Sequence, residues 1–220
     1  MSKTNIDAIR DSLKVYFIMG SPNCKENPAK VLQKAIEGGI TLFQFREKGI
    51  GALTDDKKVE LAKELQQICR EQRIPFIVND DIGLAIALNA DGVHIGQDDD
   101  PIVEVRKKIG CDKIIGVSVH SYDEAMTALE GGADYFGIGP VFPTSTKEDA
   151  KPSNGTKLIE ELRTKGFTIP IVGIGGITAE TAGSVIQAGA DGVSVITAIS
   201  HAYSVTEAAK ELRKSVSDSL

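Results

Sequence analysis

Short apolar runs rich in Val, Ile and Phe recur along the chain, separated by longer stretches whose apolar positions repeat every three to four residues. The short runs predict strands near 14–19, 41–46, 75–79, 92–95, 113–118, 135–139, 168–173 and 192–196. The periodic stretches predict helices near 27–38, 55–73, 81–89, 101–109, 122–131, 155–165, 178–188 and 205–217, with a further helix near 4–12 ahead of the first strand. Strand and helix alternate throughout, which implies parallel pairing. Units of this kind in a chain of 220 residues predict an α/β fold, a (β/α)8 TIM barrel with a short extra N-terminal helix. A doubly wound open sheet is the main competitor.

The same corner recurs at 37–43, 89–95, 131–137 and 188–194, where a helix stops at small residues and a strand begins. Glycine near the helix end can supply the left-handed closing residue. No Pro/Ser-rich linker divides the chain, so residues 1–220 are expected to form a single TIM-barrel domain.

Composition adds limits. At 41% hydrophobic and 25% charged the chain is ordinary for a globular protein, and with no Trp its core should be aliphatic. A net charge of −6 with dispersed Lys and Arg argues against a nucleic-acid groove, though not against a local cationic pocket. No apolar run approaches the roughly 20 residues of a membrane span, and the N-terminus lacks the apolar stretch of a signal peptide. Cys24, Cys69 and Cys111 lack metal-ligand spacing and are read as free thiols in a reducing cytoplasm.

Polar residues collect where the expected strands end. Gln44, Arg46 and Lys48 alternate, so they share one strand face, and two cations with an amide side by side suit an anion. Glu47 is expected to point the other way and pair with a neighbouring charge. Asp80 and Asp81 follow the third strand, and Asp98, Asp99 and Asp100 follow the fourth. Carboxylates at a phosphate-binding rim call for a cation, and Mg²⁺ takes a few carboxylates plus phosphate oxygens and water. Each cluster could instead cap the next helix. His94 and His120 form no triad, and a lone His in a barrel strand is more often a packed, hydrogen-bonded residue.

Two further loops suit oxyanions. Gly137-Ile138-Gly139-Pro140-Val141-Phe142-Pro143-Thr144-Ser145-Thr146-Lys147 carries three hydroxyls and an ammonium directly after a strand. The connection as far as Asn154 is long for a βα loop and is expected to close over ligands. Gly173-Ile174-Gly175-Gly176 and Ile196-Thr197 end the last two strands, where such barrels often bind phosphate.

In this order the motifs resemble the thiamine phosphate synthase family, over about Val15 to Ser200. They are Gln44-Phe45-Arg46-Glu47-Lys48, Val78-Asn79-Asp80, Asp91-Gly92-Val93-His94-Ile95-Gly96-Gln97, the loop from Gly137 to Lys147, and Gly173-Ile174-Gly175-Gly176-Ile177. The resemblance implies condensation of a hydroxymethylpyrimidine diphosphate with a (carboxy)thiazole phosphate, giving thiamine phosphate, diphosphate and, from the carboxylated thiazole, CO₂. It implies that Gln44, Phe45, Arg46, Glu47, Lys48 and Asn79 hold the pyrimidine diphosphate, with Ser118 at the pyrimidine end and Lys147 on the diphosphate. It implies Thr144, Ser145, Thr146, Gly176, Ile196 and Thr197 for the thiazole phosphate, and Asp80 and Asp99 for Mg²⁺. Arg46, Lys48, Ser118 and Lys147 would carry the catalytic roles. Thr197 stands where Ser is common, and Val119 where Ala is frequent. The expected partners are two small phosphorylated substrates, with no nucleic acid or membrane and a homo-oligomer left open. A thiazole tautomerase-like enzyme, a phosphate-sugar isomerase or epimerase, or a non-catalytic thiazole phosphate-binding protein on the same barrel are the alternatives.

Overall fold

The alternation closes on itself. In a computed structural model, which describes residues 3–144, 146 and 152–220, the strands are β1 (Val15–Met19), β2 (Leu42–Phe45), β3 (Phe76–Asn79), β4 (Gly92–Ile95), β5 (Ile114–Val119), β6 (Tyr135–Ile138), β7 (Ile171–Ile174) and β8 (Gly192–Val195). They pair in chain order, and β8 returns to β1 in parallel, with Phe17 opposite Phe43 on one side and Val195 on the other. The open sheet is thereby excluded.

The helices are α1 (Lys3–Leu13), α2 (Pro28–Glu37), α3 (Asp55–Glu71), α4 (Ile82–Ala87), α5 (Ile102–Ile109), α6 (Tyr122–Glu130), α7 (Lys157–Thr164), α8 (Ala179–Gln187), α9 (Thr197–Ser200) and α10 (Val205–Ser217). Helix α9 was not expected, because four residues are too short to show a helical period. Strand β7 starts later than the apolar run suggested. Arg163 Nη1 takes the Ile169 carbonyl at 2.8 Å, which helps hold this approach as a loop.

Side chains alternate across the barrel wall. Val15, Phe17 and Met19 face the helices and join the large outer core, while Tyr16 and Ile18 face the barrel interior. Ile9 and Leu13 of α1 pack into that interior, so α1 closes the N-terminal mouth. Most interior positions low in the barrel are apolar, and those at its C-terminal end become polar. Gly116 is the exception that serves a neighbour, since a Cβ there would lie 2.0 Å from the Tyr135 ring.

The recurring corner has a second cause besides glycine. Thr41, Asp91, Asp134 and Asp191 each sit just before an even-numbered strand. Their side chains accept from amides at the start of the odd-numbered strands: Val15, Phe76 and Ile171, each the first of its strand, and Ile115, the second of β5, all at 2.8 Å. The first N–H of a strand would otherwise be left unpaired at a buried edge. Arg106 ties Asp134 at 2.6 Å and Arg163 ties Asp191 at 2.7 Å, while also taking nearby carbonyls. The N-terminal rim is therefore a ring of completed hydrogen bonds.

Candidate active site

A cavity of about 540 Å³ opens at the opposite, C-terminal end of the barrel. Its wall takes in the ends of β2 to β8, which is where the interior positions turn polar. One side carries Arg46, Lys48, Asn79, Asp80 and Asp99, and the other carries Thr144, Thr146, Gly176, Ile196 and Thr197. Ser118 lies on the wall between them. Ser145 and Lys147 lie outside the described residues.

Arg46 is only 7% exposed and lines the cavity, yet its guanidinium has no carboxylate partner among the described residues. A nearly buried cation without a counter-charge is costly unless a ligand supplies one. Lys48, by contrast, pairs with Asp80 at 3.1 Å. Gln44 is not on the wall. It sits 1% exposed beneath the floor, where its Nε2 donates to the Tyr16 hydroxyl at 2.5 Å.

Phe45 and Glu47 point elsewhere, as alternation requires. Phe45 stacks on Phe76 in the outer core, with ring centroids 6.3 Å apart. Glu47 accepts from the Ser21 amide at 2.8 Å, from the Ser21 hydroxyl at 2.5 Å and from the Leu53 amide at 2.7 Å. It fastens the β1 and β2 loops together and, contrary to the expectation, pairs with no charge among the described residues. Neither side chain lines the cavity; their part is to fix the strand that presents Arg46.

The carboxylates divide their roles. Asp81 caps α4 by accepting from the Leu84 amide at 2.9 Å and pairs with Lys58 at 2.7 Å. Asp100 pairs with Lys108 at 2.6 Å. Asp80, Asp98 and Asp99 line the cavity, and of these Asp80 and Asp99 lie close enough to interact. Asp80 is held in left-handed backbone, φ 59°, an uncommon state for a non-glycine residue that suggests a constrained site. Asp99 accepts from the Gly96 amide at 2.7 Å. Partial burial raises the Asp99 carboxyl above its ordinary range despite that amide, and the neighbouring Asp80 charge adds to the rise. Two mutually repelling carboxylates at a cavity mouth fit a divalent ion. Among the described residues no third His, Cys, Asp or Glu joins them. That suits Mg²⁺, which completes its shell with phosphate oxygens and water.

On the far side the β6 loop runs against β7. The Val141 amide donates to the Ile174 carbonyl at 2.8 Å and the Phe142 amide to the Gly175 carbonyl at 2.9 Å. Gly176 has φ 64°, and a Cβ there would lie 2.6 Å from the Pro143 carbonyl oxygen. Its need for glycine thus comes first from the approach of these two loops. Thr144 and Thr146 hydroxyls lie 3.3 Å apart, and Thr146 lies 3.4 Å from the Thr197 hydroxyl at the start of α9. Loops distant in sequence thus gather three hydroxyls at one spot.

Sequence reasoning missed what joins the two sides. Under the floor the Tyr16 and Tyr135 hydroxyls meet at 2.8 Å, Tyr135 meets His94 Nδ1 at 2.9 Å, and His94 Nε2 meets the Ser118 hydroxyl at 2.9 Å. The signal was available as Tyr16, His94 and Tyr135 at inward-facing positions of otherwise aliphatic strands. Ser194, 2% exposed and inward on β8, has no hydrogen-bond partner for its hydroxyl among the described residues.

A βα-barrel with one deep polar mouth, a cationic and acidic wall and a glycine–threonine wall opposite belongs to the class that handles phosphorylated ligands. The thiamine monophosphate synthase family model matches residues 15–199. The thiamine-phosphate synthase of Bacillus cereus (strain AH187) is 60% identical over 220 residues, the whole of both chains, and that of Bacillus thuringiensis (strain Al Hakam) is 59% identical over the same span. The solved thiamine phosphate pyrophosphorylase of Pyrococcus furiosus superposes with a TM-score of 0.85 at 37% identity, covering 96% of this chain and 99% of that one. The chain belongs to the thiamine monophosphate synthase family. A 3-hexulose-6-phosphate synthase from Salmonella typhimurium, TM-score 0.71 at 16% identity, covering 94% of this chain and 100% of that one, shares the fold alone.

Proposed function

We infer that the two walls of the cavity hold two anionic substrates and that the chain joins them. It is a transferase that makes thiamine phosphate. The observation that carries the two-substrate reading is Arg46, a nearly buried cation without a carboxylate partner among the described residues, across one cavity from the gathered hydroxyls of Thr144, Thr146 and Thr197.

On this reading Arg46, Lys48 and Asn79 bind the diphosphate of the pyrimidine substrate, and Lys147 joins them as the family resemblance implies. Ser118 meets the pyrimidine ring. Thr144, Ser145, Thr146 and Thr197, with the backbone at Gly176 and Ile196, bind the thiazole phosphate. Asp80 and Asp99 are the residues that would hold Mg²⁺, which when bound neutralises diphosphate charge and makes it a better leaving group.

The chemistry follows from placement. The C–O bond to the diphosphate breaks with its electron pair leaving on oxygen, and Arg46, Lys48 and Lys147 hold the charge that develops there. The aminopyrimidine delocalises the cation left on its methylene. The thiazole nitrogen, held across the cavity, gives its lone pair to that carbon and forms the C–N bond. No activated Ser, Cys or His is needed, and most of the acceleration comes from holding two reactants in line. A carboxylated thiazole loses CO₂.

Among the described residues no helix is long and apolar enough to cross a membrane, and Cys24, Cys69 and Cys111 are free thiols. These features support a cytoplasmic site of action. The test is to incubate the protein with the pyrimidine diphosphate, the thiazole phosphate and Mg²⁺. Thiamine phosphate and diphosphate should form in equal amounts. Conversion of the thiazole phosphate alone, without the pyrimidine, would replace this reading with a tautomerase.

A further inference from the structure

We propose that Tyr16, Tyr135 and His94 form a directed hydrogen-bond relay that fixes the Ser118 hydroxyl as a donor into the cavity, and so selects a substrate ring presenting a lone pair there. The proposal rests on the two-substrate reading for what the ring is, but not for the direction of the relay.

The direction follows from counting protons. Gln44 Nε2 can only donate, so the Tyr16 oxygen accepts from it. Among the described residues the remaining hydrogen-bond partner of that oxygen is the Tyr135 hydroxyl, 2.8 Å away, and the Tyr16 proton goes there. Tyr135 then sends its own proton to His94 Nδ1, at 2.9 Å. With Nδ1 accepting, the neutral imidazole carries its proton on Nε2 and donates it to the Ser118 oxygen, at 2.9 Å. Ser118 has spent an acceptor site on His94 and keeps its own proton for the cavity. Were the relay reversed, Ser118 would donate to His94 and face the substrate only as an acceptor.

The relay is built to keep its direction. Burial raises both tyrosine pKa values, so each phenol retains the single proton the argument gives it. The Tyr135 ring lies where Gly116 leaves room, and the Gln97 side chain holds the Ser118 carbonyl at 2.6 Å. Gly137 stands over His94, where a Cβ would approach Cε1 to 3.0 Å, so glycine there leaves the imidazole its place between Tyr135 and Ser118. Tyr16, Tyr135 and His94 are positioning residues, since they act through Ser118.

The experiment reads the tautomer directly. The chain has 3 His, and nitrogen-15 spectra of the ligand-free protein, with His120→Asn and His201→Asn for assignment, isolate His94. At neutral pH its Nε2 should give a protonated-type shift and its Nδ1 an unprotonated-type shift. The opposite tautomer, or an imidazolium, overturns the proposal whatever the substrates prove to be. Tyr135→Phe should then lower kcat/KM about tenfold, the effect of one well-aligned hydrogen bond. Repeated in Ser118→Ala, the same change should cost less than about twofold, because the relay then has nothing to direct. An undiminished tenfold loss in the Ser118→Ala background would mean that Tyr135 acts by packing, and the relay would be wrong.

Discussion

The two rims of the barrel are built from the same residue types and do opposite things. At the N-terminal rim, Asp134 and Asp191 each have an arginine and a strand amide, and nothing is left over. At the C-terminal rim, among the described residues, Arg46 lacks a carboxylate, Asp80 and Asp99 crowd each other, and the Ser194 hydroxyl has no partner. A polar group completed by its own chain contributes stability. One left incomplete in a cavity waits for a ligand and costs the free protein something. The functional end is thus marked by polar groups left without partners and not by the number of charges.

Asp80→Ala and Asp99→Ala should each lower kcat by on the order of 10²-fold while leaving the unfolding midpoint nearly unchanged. Activity equal to the parent at limiting Mg²⁺ would remove both from the metal site. Arg46→Ala should weaken pyrimidine diphosphate binding by about 10- to 100-fold, as expected for a charge-assisted contact, and change thiazole phosphate binding by less than about threefold. Calorimetric titration of each substrate decides this, and equal loss of both would merge the two walls into one site.

At the other rim the expected effect is on folding. Asp134→Ala leaves Arg106 and the Ile115 amide without their partner and should cost about 3 kcal/mol in urea unfolding, with kcat unchanged. The smallest effect concerns the thiols. Burial pushes the Cys24 thiol up to about 12, with the Glu47 and Glu26 charges adding to it, and burial also raises that of Cys69. Thiolate is the reactive form, so near pH 8 iodoacetamide should label exposed Cys111 and spare the other two. Labelling of Cys24 at a comparable rate would mean that the β1 loop opens.

Much of this was legible in the sequence because the barrel strands alternate in and out so regularly. Gln44, Arg46 and Asn79 fall on the inward register, and Phe45 and Glu47 on the outward one, so periodicity alone could have moved those two off the cavity wall. The family motif includes them because it is a contiguous stretch of sequence. The corner is visible as a repeat with its glycines, but a local pattern cannot show that the carboxylates of Asp91, Asp134 and Asp191 each reach the strand before their own. The relay was hidden for the same reason. Tyr16 and Tyr135 are 119 residues apart, and only the closure of the barrel brings them together. The sequence position of Gly176 points to ligand access, whereas its tightest constraint is the β6 loop.

The most direct test of the two-rim account is thermal unfolding with and without saturating Mg²⁺ and inorganic diphosphate. A ligand at about 100 times its Kd stabilises by roughly 2.7 kcal/mol, a rise in Tm of about 5–10 °C for a chain of this size. The account predicts that Asp134→Ala starts from a lower Tm but keeps the full rise, and that Arg46→Ala starts near the parental Tm and loses most of it. A full rise in Arg46→Ala, or its loss in Asp134→Ala, would contradict the division of labour between the two ends.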